Sequence, residues 1–192
     1  MSDRLQGKRI AFLTANEGVE QIELTEPWSA VREAGGEVEL LAPESGEVQA
    51  YNHLDKADTY EVDRVVGETD PAEYDGLVLP GGVANPDQLR SKPEVLEFVR
   101  SFFAAGKPVG VICHGPWTLI DAGVAKGLTL TSWPSLKTDL ENAGATWVDE
   151  EVHVDRGLTT SRNPDDLPAF CAKLVEEFAE GPHERQTASI TA

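Results

Sequence analysis

Short apolar runs alternate with amphipathic, helix-period stretches along most of this chain. Residues 10–14, 38–42, 77–79 and 107–112 each read as a buried strand. Helices are expected between and after them, at about 22–34, 116–122, 134–142 and 164–179. A further helix carries Val95, Phe98, Val99, Phe102 and Phe103 at the i, i+3, i+4, i+7, i+8 spacing of one apolar face. Gly35-Gly36 ends the first helix as glycine does at a left-handed cap, and Gly106-Lys107-Pro108 stops the one before the cysteine. Residues 43–75 are less regular, with strand candidates near Val48 and at 60–66. Further short strands are expected at 146–148, 152–154 and 158–161. Strands alternating with helices imply right-handed crossovers and a mostly parallel sheet with helices on both faces. At 192 residues there is room for one good core. No linker-like composition shift divides the chain, so a single α/β sandwich over 1–181 is expected, with a polar, frayed tail over 182–192.

Charge and composition narrow the function classes. Thirty-four acidic against 16 basic residues give a formal charge of -18, and no basic stripe breaks the acidity. Binding to a phosphate backbone is therefore not expected. No apolar run approaches the roughly 20 residues that span a bilayer, and the N-terminus lacks the apolar core of a signal peptide. A cytoplasmic protein is the expectation. The two cysteines, Cys113 and Cys171, are not expected to pair in that setting. Cys171 falls on the apolar stripe of the last helix and reads as a small core residue. His53, His114, His153 and His183 are scattered without metal-ligand spacing, so no metal is expected.

Chemistry concentrates where strands end. In a parallel sheet, ligands sit beyond the carboxyl ends of the strands near the reversal of strand order. Three segments reach that rim: Asn16-Glu17-Gly18-Val19-Glu20, Pro80-Gly81-Gly82, and Cys113-His114-Gly115-Pro116-Trp117. A buried strand that ends in a cysteine and turns at once into a helix exposes a nucleophile. The free N–H groups of the helix then favour thiolate. Gly81 and Gly82, with the amide after Cys113, are candidates for an oxyanion hole. A carboxyl beside a thiolate would hold a proton and donate it, which suits acid–base work. Glu20 is the expected partner, with Glu17 and Glu23 as competing acids that spacing does not separate. His114 is awkward as an ordinary base, because neighbouring side chains leave the backbone in different directions. Trp117 and Trp133 read as core or pocket wall, and Asp165 and Asp166 as an acidic first helical turn.

At these residues the chain resembles the PfpI-like branch of the ThiJ/PfpI superfamily. The resemblance rests on Leu-Thr-Ala-Asn-Glu at 13–17, Leu-Val-Leu-Pro-Gly-Gly at 77–82 and Gly-Lys-Pro-Val-Gly-Val-Ile-Cys-His-Gly-Pro at 106–116. It continues through Asn-Ala-Gly-Ala at 142–145 and Thr-Ser-Arg-Asn-Pro-Asp-Asp-Leu at 160–167. It implies a flavodoxin-like fold and a dimer or larger ring of dimers. It also implies Cys113 as nucleophile, Glu20 as the buried glutamate, and His114 oriented by an acid from an adjacent subunit. Asp87 takes that last role when one inserted residue is accepted. Segment 48–58 replaces a stretch that is usually glycine- and lysine-rich, and Trp133 stands where a tyrosine often lines the pocket.

Three activities follow as expectations. One is a cofactor-independent enzyme acting on methylglyoxal or glyoxal, or on their adducts with proteins and thiols. Cys113 would be its nucleophile and Glu20 its proton shuttle. The second is an intracellular cysteine peptidase using Cys113 and His114, with Asp87 from a neighbour. The third is a redox-sensing stress protein whose Cys113 is oxidised to a sulfinate.

Overall fold

The computed structural model describes residues 3–183. Its strands, in chain order, are β1 (Arg9–Leu13), β2 (Glu17–Glu20), β3 (Glu37–Ala42), β4 (Glu47–Asn52), β5 (Asp55–Glu61) and β6 (Arg64–Val65). They continue with β7 (Gly76–Leu79), β8 (Val109–Ile112), β9 (Thr129–Leu130), β10 (Thr146–Trp147), β11 (Val152–Asp155) and β12 (Leu158–Ser161). The helices are α1 (Gln21–Glu33), α2 (Ala84–Leu89), α3 (Pro93–Ala104), α4 (Pro116–Asp121), α5 (Lys137–Asn142) and α6 (Leu167–Glu180). Short 3₁₀ turns at Pro134–Leu136 and Pro164–Asp166 lead into α5 and α6, each begun by a proline whose missing N–H has no partner to lose there.

Seven strands form one sheet in the order β11-β12-β8-β7-β1-β3-β6, parallel except for the antiparallel edge strand β11. Strand order reverses beside β1, so the carboxyl ends of β1, β7 and β8 converge on one rim. Alternating side chains of these strands feed two cores. Ala11, Leu13, Leu77, Leu79, Val109 and Val111 pack toward α3 and the helices beside it. Ile10, Phe12, Val78 and Ile112 pack toward α1 and α6, and Cys113 belongs to this second core. All five apolar side chains of the expected α3 face are buried. At roughly 1.5–3 kcal/mol each, they outweigh what helix propensity adds.

Two parts of the fold depart from the linear reading. β2, β4 and β5 make a separate three-stranded sheet, with β2 parallel to β4 and β5 returning as a hairpin. β2 is Glu-Gly-Val-Glu, which carries no strand signal of its own. Helix α2 lies where only a glycine turn was expected, and its six residues are too few to show periodicity. The expected tail falls outside the described residues from 184 onward. Its first part is held: the His183 amide donates to the Gly106 carbonyl at 2.7 Å. No helix of the described residues is long and apolar enough to cross a membrane.

Candidate active site

Cys113 sits at the end of β8 with φ +62°, in the left-handed region that a non-glycine residue enters at a cost of about 1–2 kcal/mol. The surroundings hold it there. Its N–H donates to the Ser161 carbonyl at 3.1 Å, and its own carbonyl accepts the Trp133 N–H at 2.8 Å. The sharp turn closes when the Gly115 N–H donates to the Ile112 carbonyl at 3.0 Å. This unusual backbone also resolves the difficulty with His114. In the left-handed conformation the two adjacent side chains meet, and His114 Nδ1 lies 3.2 Å from Cys113 Sγ. The histidine therefore faces its own thiol, not away from it. Its ring stacks on Trp133 at 5.6 Å and meets the edge of Trp117 at 5.3 Å. Burial pushes its pKa down to about 4, so it is a neutral imidazole at pH 7.

The acid beside the thiol is Glu23, and the expectation for Glu20 is corrected. β2 ends at Glu20, which occupies the cap position of α1. There its carboxylate accepts the His53 N–H at 3.0 Å and holds the tip of the β4–β5 hairpin. Glu23, in the first turn of α1, points inward and is 0% exposed. Its Oε2 accepts the Gly81 N–H at 2.9 Å, and its carboxyl is hydrogen-bonded to the Cys113 thiol. Oε1 is buried and takes no further hydrogen bond. Burial is the main cause that pushes the Glu23 pKa up to about 8, opposed by the thiol and by the Gly81 and Gly82 amides. Burial, and then the charge of Glu23, push the thiol above its usual range. Burial disfavours the anion of each of these two hydrogen-bonded groups, and they cannot both be anionic.

This linkage has a sign. Folded Glu23 keeps its proton to about pH 8, whereas an unperturbed carboxyl releases it near 4.5. The stability it contributes is full below pH 4.5 and is lost as pH rises through 8. In a Cys113→Ser background, the stability of the Glu23 protein relative to its Glu23→Gln variant should fall by a few kcal/mol between pH 5 and 9. Denaturant titrations at both pH values measure it, and a constant difference would count against a protonated Glu23.

The expected donors also change places. The first-turn amides of α4 are occupied: the Trp117 and Thr118 N–H groups donate to the His114 and Gly115 carbonyls. The groups that address the sulfur are the backbone amides of Gly82 and His114, both of which favour the thiolate. The Gly81 amide is committed to Glu23 and leaves the oxyanion set. Gly81 is required for closeness, since a Cβ there would lie 2.6 Å from Cys113 Cβ and collide with Glu23 Oε2. Gly82 has φ +81° and a Cβ there would lie 2.8 Å from the Glu20 amide nitrogen. Gly81→Ala should separate the acid from the thiol and destabilise the fold by roughly 1–3 kcal/mol. Thermal unfolding and the rate of Cys113 alkylation, measured together, check this.

A cleft of about 630 Å³ opens above this pair. Glu17, Glu20, Asp87, His114 and Trp133 all line it, so the topology brings together every segment expected at the rim. Trp133 is pocket wall, stacked on His114. Asp87 is exposed on α2 and makes no hydrogen bond to His114 among the described residues. The hairpin adds Tyr51, His53 and Leu54, which sequence reasoning missed because they reach the cleft only through the second sheet. Cys171 lies apart in the second core, its pKa pushed up to about 12 by burial and then by Glu26. Asp166 does more than cap a helix: both of its oxygens take hydrogen bonds from the Arg162 guanidinium, at 2.8 and 2.9 Å. The cap at that turn is Asn163, whose side chain accepts the Asp165 N–H. Glu177, Glu180 and His183 place three donor atoms within 4.8 Å of one another at the end of α6, a grouping that the scattered histidines had not suggested.

Comparisons with known proteins identify the family. The DJ-1/PfpI family profile matches residues 8–177. Deglycase PfpI of Pyrococcus furiosus is 41% identical over 168 residues, which cover 88% of this chain and 98% of that protein. Protein/nucleic acid deglycase 2 of Escherichia coli is 43% identical over 164 residues, covering 85% of this chain and 93% of that one. Among solved structures, Drosophila melanogaster DJ-1beta superposes with a TM-score of 0.81 at 30% identity, covering 93% of this chain and 91% of that chain. With a family profile that spans residues 8–177 and relatives about two-fifths identical over most of its length, the chain belongs to the DJ-1/PfpI family.

Proposed function

We propose that this protein is a cysteine-dependent deglycase that releases methylglyoxal-type adducts from protein side chains and turns the carbonyl fragment into a hydroxy acid. The observation that carries the reading is the Cys113–Glu23 pair, a thiol at a strand end hydrogen-bonded to a fully buried acid. Relatives named as deglycases support it. On an aminocarbinol adduct, Cys113 Sγ forms a bond to the carbinol carbon as the carbon–nitrogen bond breaks. Glu23 gives its proton to the departing amine, which also takes the thiol proton and leaves as an ammonium ion. Glu23 then takes the hydrogen of the same carbon as a proton and returns it to the neighbouring carbonyl carbon. The first carbon is oxidised to a thioester, and the second is reduced to an alcohol. Water cleaves the thioester to lactate and free thiol, and no external electron carrier is required. The Gly82 and His114 amides support the oxyanion of each tetrahedral stage. Free methylglyoxal enters the same sequence at the addition step.

The test is a purified-protein assay with the preformed methylglyoxal adduct of a blocked amino acid, following amine and lactate release. Equal release by the wild type and a Cys113 variant would overturn the reading. A second reading, peptide hydrolysis, is favoured by the 3.2 Å contact of Sγ with His114. It requires Asp87 from a neighbouring subunit in a homo-oligomer, and casein cleavage assayed in parallel distinguishes it.

A further inference from the structure

We infer that the cleft above Cys113 selects positively charged substrates, with Glu17 and Asp87 as the residues that set the preference. As a substrate class this rests on the deglycase reading. It names adducts carried on guanidinium or ammonium side chains, in preference to those on glutathione or on phosphate-bearing nucleotides.

The observation is the chemistry of the walls. Among the described residues, four carboxyl side chains line the cleft, Glu17, Glu20, Glu23 and Asp87, and no lysine or arginine does. Glu23 is held protonated and Glu20 is engaged at the hairpin, which leaves Glu17 and Asp87 as exposed charges. Their elements adjoin. A Cβ on Gly18 would stand 2.6 Å from Ala84 Cβ, so β2 and α2 carry the two carboxylates on one continuous wall. Among the described residues, neither carboxylate has an ion-pair partner. Glu17 also borders an outer groove with Lys56 and Lys92, without an ion pair to either. The same cleft is lined by Leu54, 94% exposed, and Trp133, 39% exposed, apolar surfaces suited to the methylene stem of a long basic side chain. Glu23 lines the same cleft, and its buried Oε1 has no hydrogen-bond partner among the described residues.

A cleft lined by one sign of charge concentrates the opposite ion by a factor of 10 or more. The formal charge of -18 adds to that field.

The test uses the reactivity of Cys113 itself, independently of turnover. Thiol modification by the cationic 2-(trimethylammonium)ethyl methanethiosulfonate is compared with that by the anionic 2-sulfonatoethyl reagent. Both rates are read at Cys113 by peptide mass and normalised to blocked cysteine. The expected cation-to-anion ratio exceeds that of the free thiol by about tenfold at low salt. It should shrink at 1 M salt, where screening acts within about 3 Å. The Glu17→Gln/Asp87→Asn double variant should bring the ratio below about threefold. A ratio equal to that of the free thiol, or no modification by either reagent, overturns the inference. Arginine-borne and glutathione-borne methylglyoxal adducts are then assayed side by side. Equal turnover of the two removes charge selection and leaves the deglycase reading standing. Turnover of neither, with the reagent ratio preserved, removes the deglycase reading and leaves the cation-selecting cleft.

Discussion

Cys113→Ala is expected to lower kcat/KM for adduct release by at least about 10⁴-fold, because the proposed sequence runs through its sulfur and Cys113 carries the only thiol among the described residues that line the cleft. Cys171→Ala is the control, since that thiol lies in the second core away from the cleft. Its loss should cost some stability and little activity. Alanine at 113 also relieves none of the positive φ, so the fold should be kept at a similar backbone cost. Lactate release and circular dichroism on the same preparations separate lost chemistry from lost structure. Residual activity above about 10% in the Cys113 variant would remove the nucleophile from the proposed sequence.

Glu23→Gln is expected to lower kcat by about 10²–10⁴-fold, the range for removing a positioned general acid–base group. Glutamine can still accept the Gly81 N–H and still donate toward sulfur, so the geometry survives while proton transfer is lost. The companion variant is Glu20→Gln. Its carboxylate accepts the His53 N–H and anchors one wall of the cleft, without hydrogen-bonding the thiol. That substitution should raise KM and change kcat less than about threefold. Steady-state kinetics of both variants on one adduct decide between them. A larger kcat loss for Glu20→Gln than for Glu23→Gln would reverse the assignment made from the geometry.

The difference between these two acids shows where linear reasoning stops. Glu17, Glu20 and Glu23 all follow the first strand, and each is a plausible neighbour for a thiol by position in the chain. What separates them is the short strand β2, which exists only because β4 offers it a parallel partner. With β2 formed, the helix begins at Gln21, Glu20 falls at its cap, and Glu23 turns into the core. His114 is a second case. Sequence adjacency to Cys113 suggested divergence, which holds for ordinary backbone, and the φ of +62° at Cys113 cancels it. That angle is imposed by Ser161 and Trp133, residues 48 and 20 positions away in the sequence.

Local composition by itself determined the layered α/β fold, the main parallel strands, the apolar face of α3 and the cysteine at a strand end. Each of these depends on burying side chains at a period of 2 or 3.6 residues, which a linear pattern displays. Tertiary structure alone decided which glutamate protonates, which amides address the sulfur and which charges line the cleft. Those properties arise from desolvation and from contacts between distant segments. Glu20 at the helix cap holds the hairpin, whereas Glu23, three residues further on, is an acid of pKa about 8 because the fold has removed water from it.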